Sequence, residues 1–277
     1  MDNRIKEFKA EGGSSLCYKN WPSHDTAPCV IYLHGLESHL EWFSNLAEFL
    51  NKNGMNVYAF DRRGSGLNKD SKKDCLEYIF SDLKLFIDLV KKEHPDSKVF
   101  LIGLCLGGKI AVNFFSSYPN LLDGLVLVSP SLKNKLRFSI FDKLSILLNP
   151  NKNFKVPIED EMFTKNRKYI EYIGQDTGRL RYVTGRFLLE VANIDRNLEG
   201  ASRNIKLPIL LMLAGIDEII DTGSVKRWFE KLTSPDKTIK IYKDYCHILT
   251  FEEKADEVMM DIVDWIWMRT NVKSIAS

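Results

Sequence analysis

Val99-Phe100-Leu101-Ile102-Gly103-Leu104-Cys105-Leu106-Gly107-Gly108-Lys109-Ile110 decides how this chain is read. An apolar run, Val99 to Gly103, reads as a buried strand, and the stretch from Leu106 to Tyr118, closed by Pro119, reads as a helix. Between them, Gly103-Leu104-Cys105-Leu106-Gly107 has the spacing glycine, any residue, nucleophile, any residue, glycine. So tight a turn strains its central residue. Side chains two positions to either side would strike the neighbouring helix and strand, so Gly103 and Gly107 are required. Cys105 is then lifted above a sheet at a helix N-terminus. There the helix dipole favours an anion and free backbone N–H groups can hold an oxyanion.

Outward from this turn, Cys29–Leu33, Val57–Phe60 and Leu125–Val128 are further continuous apolar runs, separated by amphipathic helical stretches over Glu41–Asn53 and Asp74–Glu93. Continuous rather than alternating runs mark a parallel sheet covered on both faces by helices. The rhythm breaks after Pro130. From Lys133 to Asn204 no strand is evident, only amphipathic pieces (Phe138–Leu148, Thr164–Ile173, Arg179–Ile194). Strands resume at Pro208–Leu213 and Thr238–Tyr242, and a helix over Glu252–Met268 follows. The expectation is an α/β fold, one mostly parallel central sheet flanked by helices. Residues 1–131 and 206–277 form its core, and residues 132–205 form a helical insertion.

Composition narrows the function classes. Of 277 residues, 44% are apolar and 27% charged, enough to build a core and too much for disorder. No apolar run reaches the roughly 20 residues of a membrane-spanning helix. The polar start, Met1 to Glu7, lacks a signal-peptide core, so a cytoplasmic address is expected. The five cysteines (Cys17, Cys29, Cys75, Cys105, Cys246) include no CxxC pair, which leaves no zinc ribbon or thioredoxin-type site. No metal-ligand motif, phosphate loop or dinucleotide fingerprint is found, so no metal and no cofactor are expected. Nor does any Arg-rich tract interleave with aromatics, so nucleic acid is not an expected partner. Between Leu132 and Lys206, 15 basic residues face 9 acidic ones, which hints at an anionic group on the ligand. Arg179, Arg181 and Arg186 are candidates to meet it.

Three further features stand in order along the chain. His34-Gly35-Leu36 ends the early strand, where a backbone N–H can become a second oxyanion donor. Leu36 and Leu106 are the expected donors, and His34 and Gly35 shape the turn. Asp217 follows the strand at 208–213 and is placed to accept a bond from an imidazole, with Glu218 and Asp221 as competitors and helix capping as the alternative role. His247 lies in the loop between the last strand and the final helix. The other histidines are His24 and His39 in loops, His34 in the turn and His94 at a helix end.

The order nucleophile, Asp, His, together with Asp61-Arg62-Arg63-Gly64-Ser65-Gly66 and Glu252 or Glu253 behind His247, resembles the α/β-hydrolases of the monoacylglycerol lipase and lysophospholipase type, in the serine aminopeptidase-like group. The resemblance runs from about Cys29 to Met268. It implies the α/β-hydrolase fold, a lid over residues 132–205, and a triad of Cys105, Asp217 and His247 acting through a covalent acyl-enzyme. The implied activity is that of a carboxylesterase, lysophospholipase, monoacylglycerol lipase or thioesterase on a small-molecule acyl substrate. The departure is Cys105, where the group carries Ser. Three readings stand open: a natural cysteine nucleophile, as in dienelactone hydrolases and polyhydroxyalkanoate synthases; a cysteine replacing serine so that an acyl-enzyme is trapped; or a degenerate site. The intact Asp217, His247 and glycine frame speak against the last.

A thioester is open to amines and thiols as well as water, so an acyltransferase or amide-forming enzyme is the alternative, and a catalytically silent binding protein the second. Within the insertion Phe138, Phe141, Leu144, Met162 and Phe163 are the expected acyl contacts, with transient lipid contact but no stable membrane insertion. Acyl-chain length, head group and oligomeric state are not written in these residues.

Overall fold

A computed structural model describes residues 4–71, 76–135, 138–195, 198, 200 and 204–270. Cys75, and Asp74 at the expected start of a helix, lie outside the described residues.

The chain enters through an antiparallel hairpin, β1 (Ile5–Lys9) and β2 (Ser15–Trp21). There follow β3 (Cys29–Leu33), α1 (Ser44–Lys52), β4 (Asn56–Phe60), α2 (Ile79–Glu93), β5 (Val99–Leu104), α3 (Leu106–Ser117) and β6 (Gly124–Val128). After the insertion come β9 (Ile209–Ala214), α7 (Thr222–Glu230), β10 (Lys237–Tyr242) and α8 (Ala255–Thr270). The strands form one eight-stranded sheet in the order β1-β2-β4-β3-β5-β6-β9-β10, antiparallel at β1, β2 and β4 and parallel from β4 onward. The fold is that of the α/β-hydrolases.

In the middle of the sheet, at β4, β3, β5, β6 and β9, both faces are buried, which explains the unbroken apolar strands there. In β3, Cys29, Ile31 and Leu33 enter one core with residues of α2 and α3, while Val30 and Tyr32 enter the other with residues of α1 and α8. The chain leaves β3 toward β4 on one side but leaves β5 toward β6 on the other. The carboxyl ends of β3 and β5 therefore flank a crevice at the topological switch point, where open α/β sheets bind their ligands.

Between β6 and β9 the chain carries α4 (Ile140–Leu148), β7 (Asn153–Lys155), α5 (Arg167–Gln175), β8 (Tyr182–Thr184) and α6 (Gly185–Asp195). The expectation of no strand there is corrected: β7 and β8 pair as an antiparallel ribbon. Each is three residues long with one buried side chain, too short to leave a period in the sequence. The hairpin of β1 and β2 also escaped the sequence reading. β1 exposes four of its five residues and carries three charges, so it shows no apolar run.

Candidate active site

The turn after β5 has the anticipated geometry. Cys105 sits at φ 50° and ψ −113°, a conformation L-residues rarely hold. A Cβ on Gly103 would lie 2.7 Å from Gly108 Cα, and one on Gly107 would fall on the Leu33 carbonyl. Leu106 is the first residue of α3, so its N–H has no acceptor within the helix. Across the switch point Gly35 is pressed against the nucleophile turn: a Cβ there would meet Cys105 Cβ at 3.2 Å. Leu36 and Leu106 line the same cavity as Cys105.

The loop holding Leu36 is clamped from beneath. Its Gly35 N–H donates to Ser38 Oγ at 2.9 Å. Arg62 donates through Nη2 to the carbonyls of Gly35 (2.8 Å) and Leu36 (3.2 Å), and its backbone N–H donates to His34 Nε2 at 3.0 Å. His34 Nδ1 therefore carries the proton and donates to Gly35 O at 2.8 Å. Burial, and then the charge of Arg62, hold His34 well below the ordinary histidine pKa, so the ring is neutral.

Asp217 and His247 meet at the carboxyl ends of β9 and β10. His247 Nδ1 lies 2.8 Å from Asp217 Oδ2, with both side chains buried. Asp217 Oδ1 accepts from the N–H groups of Ile219 (2.9 Å) and Ile220 (2.8 Å). The competitors separate cleanly: Asp221 caps α7 by accepting from Ser224 N, and Glu218 is exposed. Burial pushes the Asp217 carboxyl up, but the His247 charge, its hydrogen bond and the two N–H donors outweigh burial and hold it below its usual 3.8. Burial likewise opposes charge on His247. The Asp217 carboxylate and the Cys105 thiolate prevail and raise it to about 10. His247 Nε2 is buried and makes no hydrogen bond of standard geometry, and it shares a small cavity of about 10 Å³ with Cys105. Glu252 Oε1 accepts from Cys246 N at 2.9 Å and so fixes the loop from behind.

The larger cavity, about 440 Å³, opens from Cys105 between α3, α4 and α6 and lies within the size range of small-molecule sites. Of the residues expected to line the acyl site, Phe138 borders this cavity and Phe163 the small one. Phe141 and Leu144 do not. They are 80% and 56% exposed, because α4 buries Ile146 and leaves most of its other side chains outward, with Lys143 and Leu147 at the cavity rim. Met162 packs against the core beside the cavities rather than into them. Arg179, Arg181 and Arg186 border neither cavity. Arg179 is consumed by Glu37 (2.5 Å) and Asp160 and Arg181 by the carbonyls of Ile173, Gly174 and Asp176, while Arg186 is exposed and reaches Asn151 at 3.4 Å. The sequence reading missed Glu37 and Arg179 as partners, since 142 positions separate them. It also missed Lys109, a buried residue in the wall of the larger cavity. The signal for Lys109 was present: a lone charge in the apolar stretch Leu106–Phe115. Among the described residues no group of His, Cys, Asp or Glu is arranged to hold a metal.

A strained cysteine turn at the switch point, facing a buried imidazole that is itself bonded to a carboxylate, on this sheet, defines an α/β-hydrolase. The particular family follows from comparison with known proteins. The family model described as serine aminopeptidase, S33 matches residues 24–254, and the chain belongs to that family. It is 27% identical over 276 residues to the monoglyceride lipase of Homo sapiens, covering 96% of this chain and 91% of that one. It is 26% identical over 267 residues to the monoglyceride lipase of Mus musculus, covering 92% and 87%. A crystal structure of a soluble variant of monoglyceride lipase from Saccharomyces cerevisiae, in complex with a substrate analog, superposes with a TM-score of 0.85 at 20% identity, over 96% of this chain and 94% of that one. These relatives are carboxylic ester hydrolases, and the chain shares their class.

Proposed function

We propose that this chain hydrolyses monoacyl esters, of the monoacylglycerol and lysophospholipid kind, through a Cys105–His247–Asp217 triad. The observation that carries this reading is the imidazole: Nδ1 is fixed by Asp217 at 2.8 Å while Nε2 is left free of a standard partner in the cavity it shares with Cys105. A buried nitrogen left with no partner but the thiol beside it is costly unless chemistry uses it.

The Cys105 thiolate attacks the acyl carbonyl, and the N–H groups of Leu36 and Leu106 hold the resulting oxyanion. Losing one such donor costs about 100- to 1000-fold in rate. His247 Nε2 then gives its proton to the departing alcohol, which leaves a thioester on Cys105. Water attacks that thioester, His247 takes the water proton, and the acid leaves with the thiolate restored. The leaving group must lie beside its proton donor, so it belongs to the small cavity that His247 lines. The acyl chain takes the large one. As it stands the small cavity has room for about one water, the size of the deacylating nucleophile.

Residues 132–205 are proposed to act as a lid. Two observations support this: Ile248 N donates to Phe163 O at 2.8 Å, and Arg179 grips Glu37 in the loop that carries Leu36, so the segment holds both halves of the site. The outward face of α4, with Ile140, Phe141, Leu147 and Leu148 all more than half exposed, is suited to transient contact with a lipid aggregate. The cysteine itself favours a second reading, acyl transfer, because amines and thiols attack thioesters readily. Turnover of p-nitrophenyl esters and acyl-thioesters by the wild type, Cys105→Ser and Cys105→Ala, with and without an amine acceptor, tests both. Free acid as the main product, abolished in Cys105→Ala, supports hydrolysis. An amide as the main product supports transfer, and turnover that survives in Cys105→Ala overturns both.

A further inference from the structure

The two oxyanion donors are held in different ways. Leu106 opens α3, and the helix fixes its N–H. Leu36 lies in the loop after β3, outside any helix or strand. Among the described residues no acceptor takes its N–H. What holds that N–H is the other end of the same peptide group, the Gly35 carbonyl. His34 Nδ1 and Arg62 Nη2, 3.4 Å apart, converge on Gly35 O, each at 2.8 Å. In a planar trans peptide the N–H points opposite to the C=O. Drawing Gly35 O toward Arg62 therefore turns the Leu36 N–H away from it, and Leu36 borders both cavities that Cys105 borders. Arg62 Nη2 also reaches the Leu36 carbonyl at 3.2 Å, so one guanidinium grips the peptide groups on both sides of Leu36.

Arg62 is an expensive residue to place there. It is 3% exposed, and its guanidinium donates to carbonyls, where a carboxylate would return more for the burial of a charge. Burial lowers its pKa to about 10, against the pull of Asp61 and of the Cys105 thiolate, so it is still a cation at neutral pH. A neutral donor holds a loop at less cost. A cation does one thing more. When Cys105 Sγ bonds to the acyl carbon, the C=O pair moves onto oxygen, and that oxygen draws on the Leu36 N–H. The peptide group polarises, its carbonyl oxygen becomes more negative, and a fixed positive charge on that oxygen stabilises the polarised form. The gain grows as the oxyanion develops, so it belongs to the transition state more than to the bound ester. Arg62 borders neither cavity, so it acts through the peptide and not on the substrate.

Resting on the hydrolase reading above, we propose that Arg62 is a positioning residue of the oxyanion hole, whose guanidinium aims the Leu36 N–H and polarises it as the oxyanion forms. The stretch Asp61–Gly66, legible in the sequence but without a task in the triad, thereby acquires one through its second residue.

The test compares the wild type with Arg62→Met, Arg62→Gln and Arg62→Lys by two readouts. One is kcat and KM on a p-nitrophenyl ester. The other is the infrared carbonyl band of the acyl-enzyme formed with a slowly deacylating, isotope-labelled ester, which reports how strongly the hole polarises the carbonyl. We expect Arg62→Met to lower kcat by about 10- to 100-fold, less than outright loss of a donor at the upper end. KM should stay within about threefold, because the lost interaction is made in the transition state. Arg62→Gln, a donor without charge, should fall close to Arg62→Met, and Arg62→Lys should recover part of kcat. The carbonyl band should move to higher wavenumber in Arg62→Met and Arg62→Gln and return partway in Arg62→Lys. If Arg62→Met fails to fold, Arg62→Gln against Arg62→Lys decides by the same two readouts.

Esters cleaved by the wild type and not by Cys105→Ala, with kcat and carbonyl band unchanged in the Arg62 variants, overturn the role of Arg62 and leave the hydrolase reading intact. So does a loss that falls on KM alone, or an Arg62→Gln that recovers as much as Arg62→Lys, since either makes the residue a support of loop shape only. Failure of the wild type on every ester, with no acyl-enzyme formed, overturns the hydrolase reading and the role of Arg62 with it.

Discussion

At the residue scale, each glycine of the turn answers to one neighbour. Gly107→Ala forces a methyl onto the Leu33 carbonyl, and the strand or helix must move. We expect a loss of about 1–3 kcal/mol in urea unfolding and a fall in kcat out of proportion to it. A variant with wild-type kcat and stability would show that the turn is looser than described.

The charge relation of Asp217 and His247 sets the pH behaviour. His247 is raised from 6.5 to about 10, so its contribution to stability is full below pH 6.5 and is lost as pH rises through about 10. Asp217 is lowered from 3.8, so its contribution is present above that value and is lost as pH falls through the lowered one. With an alkyl ester, whose leaving group needs the imidazolium proton, kcat/KM should decline with a midpoint near pH 10. Asp217→Asn removes the carboxylate charge that raises His247, so it should move that midpoint downward and reduce kcat by about 10⁴-fold. An alkaline limb that stays in place in Asp217→Asn speaks against the pairing.

At the scale of elements, the segment between β6 and β9 is tied down by a buried ion pair. Arg179 and Glu37 are each about 2% exposed at the side chain, and Arg179 stacks over Phe163 at 5.1 Å. Breaking such a pair from one side strands a buried charge at a cost of about 3–5 kcal/mol, whereas replacing both partners with apolar residues is often nearly neutral. Arg179→Ala should therefore be far less stable than Arg179→Met/Glu37→Leu in denaturant titration. Equal losses would mean that the pair contributes shape rather than charge. The outward face of α4 belongs to the same scale. Phe141→Ser/Leu148→Ser should lower the ratio of activity on micellar over monomeric ester by about tenfold or more, from the apolar area each side chain can bury. An unchanged ratio removes α4 from the lipid surface.

At the scale of the whole molecule, the five strands β3, β4, β5, β6 and β9 were legible because burial on both sheet faces turns each into an apolar run, whereas β10, an edge strand with no buried residue, was legible from the β-branched and aromatic residues of Thr238–Tyr242. The hairpin of β1 and β2 was not, since β1 is an exposed edge that alternates weakly with charge. The glycine-framed turn could be read because its physics is local, five residues long. The grip of Arg179 on Glu37 and the inward face of α4 could not, because each depends on how distant segments come to lie together. The structure brings Cys105, Asp217 and His247 to one end of the sheet, from loops after three different strands. What they do there comes down to whether Cys105 carries the acyl group.

The direct measurement is peptide mass spectrometry of enzyme quenched during turnover of a slowly deacylating p-nitrophenyl ester. We expect the acyl mass on the peptide holding Cys105, released by hydroxylamine, absent in Cys105→Ala and strongly reduced in His247→Gln. Turnover without an acyl group on Cys105, or turnover undiminished in Cys105→Ala, contradicts the covalent mechanism proposed for this site.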